Sequence, residues 1–147
     1  MADSHDLLVN SDWQGADLHK LVSAELTPYT AEPARLRIKG EIVSLPPDLA
    51  TPFGLVLHEL GTNAVKYGAL SKEKGYVEID WTVNGAAKGK SLEFRWREVD
   101  GPPVKRPSAE GFGSHLIRQV LRGATVQHQY RPGGVTCEIT LLIPPAT

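Results

Sequence analysis

The stretch Thr51-Pro52-Phe53-Gly54-Leu55-Val56-Leu57-His58-Glu59-Leu60-Gly61-Thr62-Asn63-Ala64-Val65-Lys66-Tyr67-Gly68 decides how the chain is read. Phe53, Val56, Leu57, Leu60, Ala64 and Val65 recur at steps of three and four, the period of a helix with one apolar face. Thr51 is the expected N-cap, Pro52 the first helical residue, and Gly68 the stop. Glu59, Asn63 and Lys66 fall on one side of the same helix, because residues three and four apart are surface neighbours. A carboxylate, an amide oxygen and a cation held together suit a hydrated Mg²⁺ with phosphates attached. The simpler reading is a solvated helix face.

Working outward, Leu18, Leu21, Val22 and Leu26 form a second helical stripe that Pro28 ends. Leu36-Arg37-Ile38 and Glu41-Ile42-Val43 alternate around Lys39-Gly40, predicting two short strands or an interrupted one. Residues 76–83 and 92–96 are β-rich, and Asn84-Gly85 between them predicts an antiparallel hairpin. Leu116, Ile117, Val120 and Leu121 suggest a further helix. Two last strands, 124–130 and 135–143, flank Arg131-Pro132-Gly133-Gly134. Segregated helices and antiparallel strands give an α+β class.

Composition narrows the partners. The 147 residues fit one domain, and 16 Lys+Arg against 17 Asp+Glu leave a net charge of −1, without the basic surplus that nucleic-acid binding requires. Cys137 is the sole cysteine, which excludes an intrachain disulfide and any multi-cysteine zinc site; it reads as a buried strand residue of a cytoplasmic protein. The sequence has no apolar run long enough for a membrane span, and MADSHDLLVNSDW lacks the centre of a signal peptide, so no direct membrane contact is expected. His19, His115 and His128 are dispersed without metal-ligand spacing.

Two further segments give the helix face its context. Trp96-Arg97-Glu98-Val99-Asp100-Gly101-Pro102 is a strand that ends in two carboxylates and a chain reversal, and such a carboxylate can accept from an adenine amine. Gly111-Phe112-Gly113-Ser114 leads into a helix, where bare backbone N–H groups can approach phosphate oxygens. Trp96 reads first as core, given the area a tryptophan buries. His58 is open between a structural histidine and one that binds phosphate, orients Glu59 or moves a proton.

In this order and spacing the three segments resemble the N, G1 and G2 boxes of the GHKL ATP-binding fold. His58-Glu59-Leu60-x-Thr62-Asn63-Ala64 with Trp96-x-Glu98 is similar to the HWE branch of histidine kinases. The resemblance spans roughly residues 16–143, including Gly133-Gly134-Val135-Thr136. It implies a two-layer α/β sandwich, with a mixed, mostly antiparallel sheet covered by helices on one face and a flexible ATP lid. It implies ATP and Mg²⁺ as cofactors. Asn63 and Glu59 would hold the metal, with Glu59 or His58 in acid–base work. Glu98 would read adenine, with Asp100 and Gly101 beside it; Lys66, Tyr67 and Thr136 would line the nucleotide. Gly111, Phe112, Gly113, Ser114, His115 and Leu116 would form the lid and its phosphate contacts.

Asp100 departs from the Glu-x-Gly-Gly-Pro that the HWE branch usually carries, so it could share adenine recognition. No His-Arg-x-x-Asn phosphoacceptor motif is found; Ser4-His5-Asp6-Leu7 only superficially resembles the acceptor box of other branches. The resemblance therefore implies that residues 1–15 are the remnant of a helical dimerisation and phosphoacceptor region, and that 16–147 form the catalytic domain. The phosphoacceptor domain and the response regulator are expected outside this chain, which alone would be inactive in transfer; the full-length protein could be dimeric. Two other functions remain open, a stand-alone serine kinase resembling anti-sigma factors, against which Trp96-x-Glu98 argues, and a nucleotide-sensing module without transfer. The input signal is not legible in these residues.

Overall fold

The computed structural model describes residues 15–86, 89–102, 119–121, 123–131 and 134–144. In chain order the elements are β1 (Ala16–Asp17), α1 (Leu18–Leu26), β2 (Leu36–Gly40), β3 (Ser44–Leu45), α2 (Pro47–Lys66), β4 (Tyr76–Ala86), β5 (Gly89–Val99), β6 (Thr125–Arg131) and β7 (Gly134–Ile143). Five strands form one sheet in the order β2-β4-β5-β7-β6; β1 and β3 make a separate two-stranded pair. β2 runs parallel to β4, and every other neighbour in the large sheet is antiparallel. The expected mixed sheet with helices is what the chain forms.

Period-two alternation builds the sheet's inner face. Along β5 the buried side chains are Leu92, Phe94, Trp96 and then Glu98, while Glu93, Arg95 and Arg97 point out. Phe94 meets Phe53 of α2 edge-on at 5.0 Å and stacks with Trp81 of β4 at 6.2 Å, geometries that favour aromatic pairs. Leu18, Leu21, Val22 and Leu26 of α1 and Val56, Leu57, Leu60 and Ala64 of α2 complete one core. The outer face carries ion pairs, Arg95 with Asp80 and Arg97 with Glu78. These are exposed and contribute little stability.

Several expectations need correcting. α2 begins a turn before Thr51: Pro46 precedes it, Pro47 is its first residue, and Leu49 and Ala50 donate their N–H groups to the Pro46 carbonyl at 2.9 and 2.8 Å. Starting there buries Ala50 as well as Phe53, so core packing outweighs the bond that Pro52 forgoes inside the helix. Val65 is exposed rather than core. Asn84 and Gly85 lie within the hairpin strands, paired with Ser91 and Lys90, and the pairing continues to Ala86 with Gly89, where φ is 129°. Residues 41–43 are not a strand, and Ile42 is 94% exposed. The helix expected around Leu116 and Ile117, and the whole lid segment Gly111 to Leu116, lie outside the described residues.

Candidate functional site

The last turn of α2, the segment after it and the end of β5 converge on Glu98. Because Trp96 and Glu98 are two apart on a strand, they share a face, and the Trp96 indole Nε1–H donates to Glu98 Oε2 at 3.0 Å. The Ala69 backbone N–H donates to the other oxygen, Oε1, at 2.9 Å. Glu98 is only 5% exposed, the one buried charged side chain among the described residues. Burial pushes its pKa above the usual carboxylate value; the bonds from Trp96 and Ala69 oppose that shift. No cation reaches it among the described residues, so its charge rests on two neutral donors, leaving lone pairs for a further one.

Two glycines make room for this carboxylate. A Cβ on Gly68 would overlap Glu98 Oε1, and one on Gly134, where φ is 146°, would overlap the Glu98 carbonyl oxygen. Gly68 is therefore more than a helix stop. Its N–H closes α2 by donating to Asn63 and Ala64 carbonyls at 3.1 Å, and its missing side chain admits Glu98. Asp100 is exposed and sits at φ 57°, in the turn beyond the strand beside half-buried Gly101.

On α2, the Asn63 amide Nδ2 donates to Glu59 Oε1 at 3.3 Å, and both side chains are half-buried. This commits the amide nitrogen and leaves the Asn63 oxygen as the ligand atom, so that two hard oxygen donors lie side by side. That donor set fits Mg²⁺, which takes one or two protein ligands and completes its shell with phosphate and water. Lys66 and Tyr67 follow at the exposed end of the helix, Tyr67 74% exposed.

His58 lies about 100° from Glu59 around the helix, and its Nδ1 is 2.6 Å from the Tyr29 hydroxyl. Burial, then the nearby Glu25 and Glu59 charges, raise the Tyr29 pKa. The phenol hydroxyl shares a hydrogen bond with Nδ1 and lies 3.5 Å from the His58 carbonyl oxygen, which ties the imidazole to the segment after α1. Thr136 does not join the others. Its neighbour Cys137 pairs with Trp96 and shares the inner face, so Thr136, paired with Arg97, falls on the outer one. There it lines a shallow polar hollow with Gln127, Gln129 and Glu138. Sequence reasoning missed Tyr29, Gly68 and the Ala69 N–H. The same-face spacing of Trp96 and Glu98 was the available signal for the buried carboxylate.

The pH dependence follows from Glu98. Its folded-state pKa lies above the unfolded one, so the folded state holds the proton more tightly and stability falls as pH rises through that interval. Relative to Glu98→Gln, which does not titrate, the wild type is expected to lose stability as pH climbs above about 4.5. Urea midpoints of the two proteins across pH check this, and parallel curves would refute it.

Helices thus pack on a mixed sheet, Asn63 stands near the end of α2, and a buried carboxylate closes β5. Known proteins with a similar fold include histidine kinase catalytic domains. The model of the HWE histidine kinase family matches residues 1–42. A blue-light-activated histidine kinase of Brucella anthropi is 34% identical over 143 residues, 95% of this chain and 29% of that protein. Its counterpart in Brucella ovis is 35% identical over 122 residues, 82% of this chain and 25% of that protein. The chain thus spans between a quarter and a third of the length of these relatives. Among solved structures, the histidine kinase domain of the Erythrobacter litoralis EL346 blue-light activated kinase superposes with a TM-score of 0.63 at 19% identity, covering 96% of this chain and 69% of that one. The nucleotide-free catalytic domain of histidine kinase ThkA gives 0.58 at 16% identity, covering 88% and 96%. The chain is thus similar to histidine kinases of the HWE family, through the family model over residues 1–42 and through the Brucella relatives over most of its length. No helix among the described residues is long and apolar enough to cross a membrane.

Proposed function

We propose that the chain is the Mg-ATP-binding catalytic domain of a sensor histidine kinase, acting on a histidine carried by a separate helical domain. The observation that carries this reading is the Glu98 carboxylate, buried without a counter-ion among the described residues and steadied by two neutral donors. A structural carboxylate in that position is costly; one that accepts the exocyclic amine of adenine has a use for its remaining lone pairs. Asp100, in the exposed turn, is left to solvent. Ala16, in the first described strand, is fully buried and paired with Leu45, which supports its place in the catalytic unit; residues 16–147 are proposed as that unit and 1–15 as a lead-in from the helical region.

When bound, Mg²⁺ offsets negative charge on the β- and γ-phosphates. Asn63 and Glu59 would hold it, Lys66 would add a positive charge, and Tyr67 would lie along the nucleotide. Residues 111–116 would cover the phosphates. In transfer, an imidazole nitrogen of the acceptor forms the N–P bond as the γ-phosphorus parts from the bridging oxygen, which leaves with the electron pair as ADP. Glu59 would orient that imidazole or take its proton. His58, engaged by Tyr29 on another side of α2, is assigned to positioning. The phosphorylated domain would then serve a response regulator.

Calorimetric titration of the intact chain with ATP, with and without Mg²⁺, tests the reading. ATP is expected to bind more tightly with the metal, and Glu98→Ala to weaken it on the order of tenfold or more, the scale of a lost hydrogen bond to a charged group. A folded wild type that binds no adenine nucleotide at millimolar concentration would sink it.

A further inference from the structure

We propose that Arg35 is a positioning residue for adenine recognition, acting through the segment that holds Glu98. Arg35 ends the short 3-10 turn Pro33–Arg35 ahead of β2, on the far side of that segment in sequence. Its guanidinium gathers three backbone carbonyls: Nε donates to Gly75 at 2.8 Å, and Nη2 donates to Ala69 at 3.3 Å and to Lys72. Among the described residues no carboxylate pairs with it. An arginine that forgoes an ion pair to bind carbonyls is serving the backbone, and its rigid fork fixes their relative positions.

The fixed segment is the one that matters to the carboxylate. Residues 68–75 form a 3-10 turn and a bend with few side-chain anchors: Ser71 to Lys74 are all exposed. Leu70 seats the first turn in the core, but the internal bonds beyond it, Ser71 N–H to Gly68 and Gly75 N–H to Lys72, are local. Arg35 ties the exposed remainder, and the Ala69 carbonyl with it, to the start of β2. Ala69 is the shared residue, its carbonyl held by Arg35 and its N–H holding Glu98 Oε1. Losing the clamp lets the N–H drift, and the carboxylate loses one of the two donors that aim it.

This inference rests on the reading that Glu98 accepts the adenine amine, and its test separates the two. The probes are ATP and ITP, which carries a carbonyl in place of that amine. Wild type, Arg35→Met, Glu98→Gln and the double variant are titrated with each nucleotide, and folding is followed by circular dichroism. The expected result is a fall in ATP affinity of about tenfold in Arg35→Met, the scale of one hydrogen bond to a charged group, with ITP affinity unchanged within about twofold. In the Glu98→Gln background, Arg35→Met is expected to leave the ATP-to-ITP ratio where it is, since the two residues act through one contact. Equal losses for ATP and ITP in Arg35→Met, or none, would overturn the role of Arg35 while leaving Glu98 as the reader. A wild type that does not distinguish ATP from ITP would overturn both.

Discussion

Gly68→Ala is expected to cost about 3–5 kcal/mol of stability and to abolish adenine-dependent binding, out of proportion to a single methyl group. The backbone there is extended, at φ −114° and ψ −150°, so an alanine meets no conformational strain. The cost is steric. The new Cβ would overlap Glu98 Oε1, and would lie 3.0 Å from Glu98 Cδ and 3.1 Å from Ala64 Cα. The helix end cannot retreat without breaking the Gly68 N–H bonds to Asn63 and Ala64, so the carboxylate must move. In moving it forfeits the Ala69 and Trp96 donors while still enclosed by the core. Overpacking of about 1–3 kcal/mol adds to the cost of an unsatisfied buried charge. Urea unfolding measures the sum, and adding Glu98→Ala to Gly68→Ala checks its cause. If the collision is with the carboxylate, the double variant is much more stable than the sum of the singles. A single variant within about 1 kcal/mol of wild type would show that the space is not needed.

Asn63→Ala is the second large effect, and its signature is the reverse, with function lost and stability kept. Asn63 is half-buried near the end of α2 and its one recorded side-chain bond is to Glu59. Alanine is the better helix former, so the thermal midpoint should hold or rise slightly. Mg²⁺-dependent ATP affinity is expected to fall on the order of 100-fold, as a metal ligand is removed. Affinity measured without Mg²⁺ should scarcely change, because the adenine contact proposed for Glu98 would be intact. Asn63→Asp separates ligand from shape: it restores an oxygen but sets a second carboxylate against Glu59, so metal dependence should return in part and at higher pH. Equal losses with and without Mg²⁺ would assign Asn63 to the nucleotide itself.

How much of this was legible beforehand depended on the range of the forces involved. The stripe from Phe53 to Ala64 and the alternation along β5 are local patterns, and they placed α2 and the central hairpin correctly. Their ends were harder. Pro46-Pro47 and Thr51-Pro52 both look like helix starts, and only burial of Ala50 against the core chooses the earlier one. Asn84-Gly85 carries the turn chemistry, yet pairing with Ser91 and Lys90 carries the strands past it. At the site, Glu59 with Asn63 and Trp96 with Glu98 were readable as same-face pairs. Thr136 was assigned by motif, and the register against Arg97 turns it outward. Arg35, Tyr29 and the Ala69 N–H had no sequence signal. Their partners lie between 29 and 40 residues away, and contacts at that range exist only once the sheet has formed.

The Trp96–Glu98 hydrogen bond also makes the domain its own optical reporter. The indole that steadies the carboxylate is a buried fluorophore, and indole emission responds to the charge beside its ring. Whatever alters the electron density on Glu98, whether a proton or displacement by a neighbouring side chain, is expected to change the emission of Trp96, which Trp81→Phe with Trp13→Phe would isolate. The spacing that folds a polar strand end into the core thereby couples the interior of the protein to light emitted from it, with no dye attached.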